Sequence, residues 1–159
     1  MAETLYYTSP EHKKRFLTAM LTSGKVYDGK LDPEYASALY ILTSSAGTWQ
    51  KASSFVDRDG IDFEAMLAEV DFSGGYGVLI HLAGNLFNDR FTCSPVDICT
   101  RLDSENFTIA LTALQIRRVS WALSEIANKA ELYNAEIDER NRINAANREK
   151  PWLPLHDGE

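Results

Sequence analysis

The most hydrophobic stretch of the chain runs from Gly75 to Asn88, with the sequence GYGVLIHLAGNLFN. Apolar side chains fall on nearly every face of a helix drawn through it, which is typical of a helix inside a protein core. It is too short to cross a bilayer, which takes about 20 apolar residues. The pattern therefore predicts a central helix over about 75–88, capped at its start by Ser73, with other helices packed around it.

Two further helices carry clear start signals. The dipeptides Ser9-Pro10 and Asp32-Pro33 are each followed by a glutamate, and a capping side chain, a proline and an acid in that order favour a helix N-terminus. Gly24 is expected to end the first helix. After each start, residues at helical spacing form one mainly apolar face. The first face comprises His12, Phe16, Leu17, Met20 and Leu21, and the second comprises Tyr35, Leu39 and Leu42. With shorter helices expected over 48–55, 62–70 and 94–102, the fold class is predicted to be all-α, a compact multi-helix bundle.

The last third of the chain predicts a long helix over about 104–148, because no proline or glycine occurs from 104 to 150. A seven-residue repeat runs along it. Its members are Ile109, Ile116, Leu123, Ala130 and Ile137, and Val119, Ile126 and Tyr133 lie three positions after members of that set. This spacing is that of the a/d seam of a coiled coil.

The length of this predicted helix leaves two alternatives. A continuous helix would run about 70 Å, whereas a compact domain of this size has a radius of gyration of about 15 Å. Either the helix projects and pairs with a partner helix, most simply from a second copy, or it breaks near Asn128 or Asn134 and folds back on its own core. We expect residues 1–125 to form the body and residues 126–159 to form an extension of the same domain.

The extension ends in a tail with the sequence PWLPL at 151–155, and its two prolines favour an extended chain. Residues 148–154 fit the R-x-x-P-x-x-P spacing of polyproline ligands, although a tail lying on its own protein is the simpler alternative. The predicted partner-binding residues of the extension are Ile126, Ala130, Tyr133, Ile137, Trp152 and Leu153.

The charge balance argues against nucleic acid as a partner. Lys and Arg number 16 against 23 Asp and Glu, a formal net charge of −7, and binding to phosphates needs a concentrated positive field. No run of about 18 apolar residues is present, so no membrane span is expected. Cys93 and Cys99 are the two cysteines, and with no signal-peptide pattern they are typical of free thiols in a cytoplasmic protein.

The predicted ligand-binding residues are His81, Asn85, Tyr76 and Arg117. His81 and Asn85 lie four residues apart on the predicted central helix, so both can face one pocket. A histidine there is a candidate base or ligand; the alternative is a core histidine whose nitrogens are satisfied by neighbours.

No spacing of nucleophile, base and acid is visible near His81, so no catalytic residue is predicted and an enzyme is the less expected class. Cys93, Cys99 and His81 offer too few ligands for zinc, so no metal or cofactor is predicted. Gly74, Gly75 and Gly77 lack the lysine of a phosphate loop. The basic clusters at 13–15 and 117–118 are expected to be solvated helix faces unless other cations converge on them.

Four segments are characteristic as a set: SPEHKKRF at 9–16, YASALYIL at 35–42, LAGNLFN at 82–88 and LDSENF at 102–107. Together they resemble a family of small helical proteins of Firmicutes-type bacteria and their phages, over about residues 8–120. The resemblance implies a cytosolic protein encoded by a phage or other mobile element. It brings no activity with it and therefore no catalytic residues.

Two functions are compatible with these features. The first is a non-enzymatic interaction or regulatory protein, an adaptor or inhibitor of a host protein, whose C-terminal extension binds a protein partner or a second copy. The second is a protein that binds or converts a small nucleotide-like or otherwise anionic molecule in a pocket near His81.

Overall fold

The computed structural model describes residues 5–149 and confirms the all-α class. The helices are α1 (Pro10–Ser23), α2 (Pro33–Leu42), α3 (Ala46–Ala52), α4 (Phe63–Glu69), α5 (Gly75–Asn88), α6 (Pro95–Arg101), α7 (Ser104–Arg118), α8 (Leu123–Ile126) and α9 (Lys129–Glu149). A 3₁₀ turn, Ser53–Phe55, follows α3 directly. Strands β1 (Val26–Tyr27) and β2 (Lys30–Leu31) form a short antiparallel hairpin between α1 and α2.

Helices α1 and α2 begin where their capping signals predict. Ser9 Oγ accepts the backbone N–H of His12 at 3.1 Å, and Asp32 Oδ1 accepts the backbone N–H of Tyr35 at 3.3 Å. Gly24 ends α1 with a φ of 67°, a left-handed conformation that glycine adopts without steric penalty. These two helices therefore have the bounds that their local sequence dictates.

Helix α2 is the helix that is buried on all sides. Every residue from Tyr35 to Leu42 is buried, and the helix packs against α1, α5 and α7. The helix predicted over 75–88 is confirmed as α5, but it exposes His81 and is 39% exposed at Tyr76. The central position that the sequence predicts for α5 thus belongs to α2, with α5 as its principal neighbour.

The long helix predicted over 104–148 is interrupted, because the chain leaves the helical conformation at Val119. The carbonyl of Trp121 accepts the backbone N–H of Leu31 at 2.8 Å, and the backbone N–H of Leu123 donates to the carbonyl of Gly29 at 2.8 Å. The hairpin thus supplies partners for backbone groups that a longer helix would have satisfied internally. Burial of the Trp121 side chain accompanies this extended connection.

A second interruption lies at Asn128, one of the two predicted positions. Asn128 Oδ1 accepts the backbone N–H of Glu131 at 2.9 Å, and Glu131 Oε1 accepts the backbone N–H of Asn128 at 3.3 Å. This reciprocal pair caps the start of α9. Asn134, the other predicted position, lies inside α9.

Helix α9 folds back along α1, so the alternative of a projecting helix is wrong for this part of the chain. Ala135 faces α1 and is 1% exposed. Ion pairs flank it: Lys13 Nζ lies 2.6 Å from Glu131 Oε2, and Lys14 Nζ lies 2.9 Å from Asp138 Oδ2.

The predicted seam does not form one continuous face. Ile126 is buried in the body of the protein, which corrects its predicted role in partner binding, and Ile137 is half-buried. Ala130 and Tyr133 are exposed, Tyr133 by 64%. Trp152 and Leu153 lie outside the described residues.

Candidate functional site

The four predicted ligand-binding residues do not share a pocket. His81 is exposed and borders a pocket of about 340 Å³ whose lining includes Cys93, Asp97 and Arg101 but none of the other three. Asn85 Nδ2 donates to the carbonyl of Phe91 at 2.7 Å, and this bond holds the chain that follows α5. The predicted pocket of His81 and Asn85 is therefore not formed.

Arg117 has a structural contact at the end of α5. Its Nε donates to the carbonyl of Leu86 at 2.8 Å, and its Nη2 lies 3.8 Å from Glu34 Oε1. The last four carbonyls of a helix lack partners within the helix, and Leu86 carries one of them. Arg117 therefore joins α7 to the C-terminal end of α5, away from the pocket of His81.

The thiol of Cys93 shows no sign of activation. Burial, with a smaller contribution from Asp97, raises the pKa of Cys93, which keeps its thiol protonated. Cys99 is exposed. Among the side chains that the structure describes, those of residues 5–148, no three of the types His, Cys, Asp and Glu lie close enough together to share a metal ion.

A groove of about 740 Å³ lies between α1, the segment 53–58 and α9. We call it the α1/α9 groove. Its lining includes four cationic side chains from three separate parts of the chain: Lys14, Arg15, Arg58 and Arg142. Hydroxyl groups of Thr18, Thr22, Ser53 and Ser54 and the apolar side chains of Ala19, Trp49 and Val56 complete most of the surface. Cations that a single segment cannot gather thus converge on one concavity.

Arg15 is fixed by one of its nitrogens and leaves the others for a ligand. Its Nε donates to the carbonyl of Thr43 at 2.9 Å. Burial lowers the pKa of Arg15, and the nearby Glu11 partly offsets this effect. Arginine remains charged in proteins, so Arg15 is a partly desolvated cation, and an anion beside it is attracted more strongly than it would be in water.

Arg58 belongs to the turn after the 3₁₀ segment. Asp57 Oδ1 organises this turn by accepting the backbone N–H groups of Asp59 at 2.8 Å and Gly60 at 3.0 Å. The side chain of Arg58 reaches the end of α1, where its Nε lies 3.8 Å from the position that a β-carbon would take at Gly24.

The cations on the α9 side are already paired with carboxylates. Arg142 donates from Nε and Nη2 to the two carboxylate oxygens of Glu139, at 3.0 and 2.9 Å, and Thr22 Oγ1 donates to the same carboxylate at 2.5 Å. These bonds, those from Arg142 first, lower the pKa of Glu139. Lys14 of α1 is paired with Asp138, so the contacts of Lys14 with Asp138 and of Thr22 with Glu139 secure α9 as one wall of the groove.

The charge of the groove differs in sign from that of the whole chain. Four cations line it against the carboxylates of Asp57 and Asp138, with Glu139 behind Arg142. The excess is one positive charge, whereas the chain carries −7. A locally positive concavity on an acidic protein attracts small anions while the surrounding surface repels large polyanions such as nucleic acids.

The sequence indicates only part of this site. Lys14 and Arg15 stand in the basic cluster at 13–15, and Thr18 and Thr22 follow Arg15 at helical spacing along one stripe of α1. That polar stripe is the signal that sequence reasoning missed. Arg58 and Arg142 carry no local signal, because they reach the groove only when the segment 53–58 and α9 lie against α1.

No helix among the described residues is both long and apolar enough to cross a membrane. Comparison with known proteins gives no match to a family model, to a curated protein or to a solved structure. The family resemblance of the sequence therefore stays a prediction.

Proposed function

We propose that this chain is a non-enzymatic binding protein for a small anionic organic molecule, which it holds in the α1/α9 groove. The observation that carries the proposal is the pair Arg15 and Arg58, which line one groove from different elements. Their guanidinium groups are planar donors suited to carboxylates and phosphates.

The dimensions and surface of the groove support a small molecule as the ligand. A volume of about 740 Å³ lies within the range of about 300–1,000 Å³ typical of small-molecule sites. Trp49 and Val56 give it apolar surface for a carbon framework, and the hydroxyl groups of Thr18 and Ser54 add hydrogen-bonding capacity. The anionic ligand of the second sequence hypothesis is thus retained, while its site moves from His81 to the α1/α9 groove.

The proposal is tested by NMR titration of the full chain with naphthyl phosphate, an anion with a flat apolar portion. We expect the amide shifts to concentrate in residues 14–24, 49–58 and 138–142. Arg58→Gln is expected to weaken binding about tenfold, since a hydrogen bond to a charged group contributes about 1.5–3 kcal/mol. Arg118→Gln is the matched control, because Arg118 is an exposed arginine at the end of α7 outside the groove. Shifts around His81 and Cys93 instead, or no binding, would overturn the proposal.

A protein partner or a second copy is a separate proposal, which the exposed side chains of Ala130 and Tyr133 on α9 support. Light scattering of the full chain and of Tyr133→Ser tests it. A dimer that the substitution dissociates would support self-association through α9, and a monomer at all concentrations would exclude it.

A further inference from the structure

The two arginines of the α1/α9 groove lie toward opposite ends of α1. Arg15 is bonded to the carbonyl of Thr43, and the next carbonyl, that of Ser44, accepts the hydroxyl of Thr8 at 2.8 Å. This end of the groove is therefore level with the N-terminal half of α1. Arg58 lies beside Gly24, the residue that ends α1.

The rise of α1 gives the distance between the two arginines along the helix axis. Residues 15 and 24 are about 13 Å apart along the axis, at about 1.5 Å per residue. Side chains in a helix lean toward its N-terminus, so the guanidinium of Arg15 is displaced away from Arg58 rather than toward it. One phosphate or carboxylate cannot contact both cations across such a distance, since a hydrogen bond spans about 3 Å.

The surface between the two arginines is mainly apolar. Ala19 is buried and Trp49 and Val56 are half-buried, and all three line the groove. Lys14 and Arg142 do not add a third free anion site, because each is paired with a carboxylate of α9. The groove thus offers a cation at each end and a hydrophobic middle.

We infer that the ligand is an elongated dianion, with an acidic group at each end and an apolar spacer long enough to reach from Arg15 to Arg58. This inference rests on the proposed function and narrows its ligand class. A monoanion would contact one arginine and leave the other without an anionic group of the ligand. A dianion of matched length would gain the second contact without a second loss of translational freedom.

The test compares linear dicarboxylates with monocarboxylates of the same length by calorimetry on the full chain. The probes are succinate, suberate, sebacate and dodecanedioate, and octanoate, decanoate and dodecanoate are the monoanionic counterparts of the last three. We expect affinity to be low for succinate and to rise with length. The best diacid should bind at least about tenfold more tightly than the monoacid of the same length, which corresponds to about 1.4 kcal/mol.

Two substitutions locate the effect. In Arg58→Gln and in Arg15→Gln, diacid and monoacid of equal length are expected to bind alike, while Arg118→Gln retains the preference for the diacid. Arg58 is exposed, so the Arg58→Gln variant should fold normally. This variant keeps the test valid even if loss of the bond to Thr43 lowers the stability of Arg15→Gln. Equal affinity of diacid and monoacid in the unmodified chain overturns the dianion inference. The dianion inference is also overturned if neither the diacid nor the monoacid binds to a chain that binds naphthyl phosphate. In either case the proposed function stands, whereas failure of every anion overturns both.

Discussion

His12 Nε2 lies 2.9 Å from the carbonyl oxygen of Tyr40, at the buried contact of α1 with α2. The other ring nitrogen, Nδ1, accepts the backbone N–H of Thr8 at 3.1 Å. One nitrogen must donate and the other must accept, so the imidazole is neutral with its hydrogen on Nε2. Burial is the main cause that lowers the pKa of His12 to about 4. The bond to Tyr40 opposes this effect by raising the pKa, and repulsion by Arg15 lowers it further.

This lowered pKa makes stability depend on pH in a defined direction. The unfolded chain takes up a proton on His12 below about pH 6.5, whereas the native protein takes it up only near pH 4. The free energy of unfolding should therefore fall as the pH is lowered from about 6.5 to 4, by about 3 kcal/mol from this group, and not further below that range. Urea unfolding at several pH values measures the fall.

The His12→Gln variant should lose most of this pH dependence, because glutamine does not titrate and its amide can both donate and accept. His81→Gln is the control: it replaces an exposed histidine outside the contact of α1 with α2, and it should keep the dependence that His12 causes. Equal slopes for the unmodified chain and His12→Gln would show that other groups, such as the ion-paired carboxylates, cause the acid sensitivity.

Gly84 in α5 allows close approach of the chain that follows the helix. A β-carbon there would lie 2.8 Å from Phe91 Cδ2 and 3.4 Å from Phe63 Cγ. We expect Gly84→Ala to lower the free energy of unfolding by about 1–2 kcal/mol, because the steric conflict outweighs the gain in helix propensity. Gly47→Ala in α3, where no atom lies within 4 Å of the new β-carbon, should instead raise stability by up to about 1 kcal/mol. Chemical denaturation compares the two, and a stabilising effect at Gly84 would contradict the described packing.

Ala135 tests whether α9 lies along α1 in solution. Its side chain is buried against α1, so Ala135→Lys should force α9 away. Hydrogen exchange of the amides in 129–149 should then approach the rate of an unprotected chain, while α2 stays protected. Ala130→Lys, on the exposed side of the same helix, should leave exchange unchanged. Equal protection in both variants would mean that the contact with α1 does not hold α9 in place.

Substitution of Arg117 tests whether this arginine has a structural role or a ligand-binding role. Arg117→Met removes the donor to the Leu86 carbonyl and should lower the free energy of unfolding by about 1 kcal/mol. The affinity for naphthyl phosphate should be unchanged, because Arg117 does not line the α1/α9 groove. Loss of that affinity without loss of stability would return Arg117 to the binding site predicted from the sequence.

The parts of the fold that the sequence predicts accurately are those with local signals. Ser9-Pro10, Asp32-Pro33 and Gly24 set the bounds of α1 and α2 through bonds that span only a few residues. The break after Arg118 has no such signal, because its cause is pairing of Trp121 and Leu123 with a hairpin about 90 residues earlier in the chain. Long-range pairing of this kind overrides helix propensity.

The two histidines show the same limit for candidate sites. The apolar neighbours of His81 predict a buried or pocket-facing position, yet α5 exposes this residue to solvent. The spacing of apolar residues in α1 predicts His12 on the buried face, and its burial confirms that position. Hydrophobic spacing predicts which face of a helix is buried, but the ligand groove depends on which helices become neighbours. Nothing in the segment around Arg58 specifies that Gly24 lies beside it.

The contact between the β1–β2 hairpin and residues 121–123 limits how the protein can be dissected. The backbone N–H of Leu31, a residue that is 1% exposed, has its acceptor at Trp121. A fragment that ended after α7 would keep α2 and the three helices packed against it, α1, α5 and α7. The backbone N–H of Leu31 would nevertheless have no acceptor. A stop codon just after Arg118 should therefore destabilise the start of α2, although α2 lies far from the truncation in the sequence.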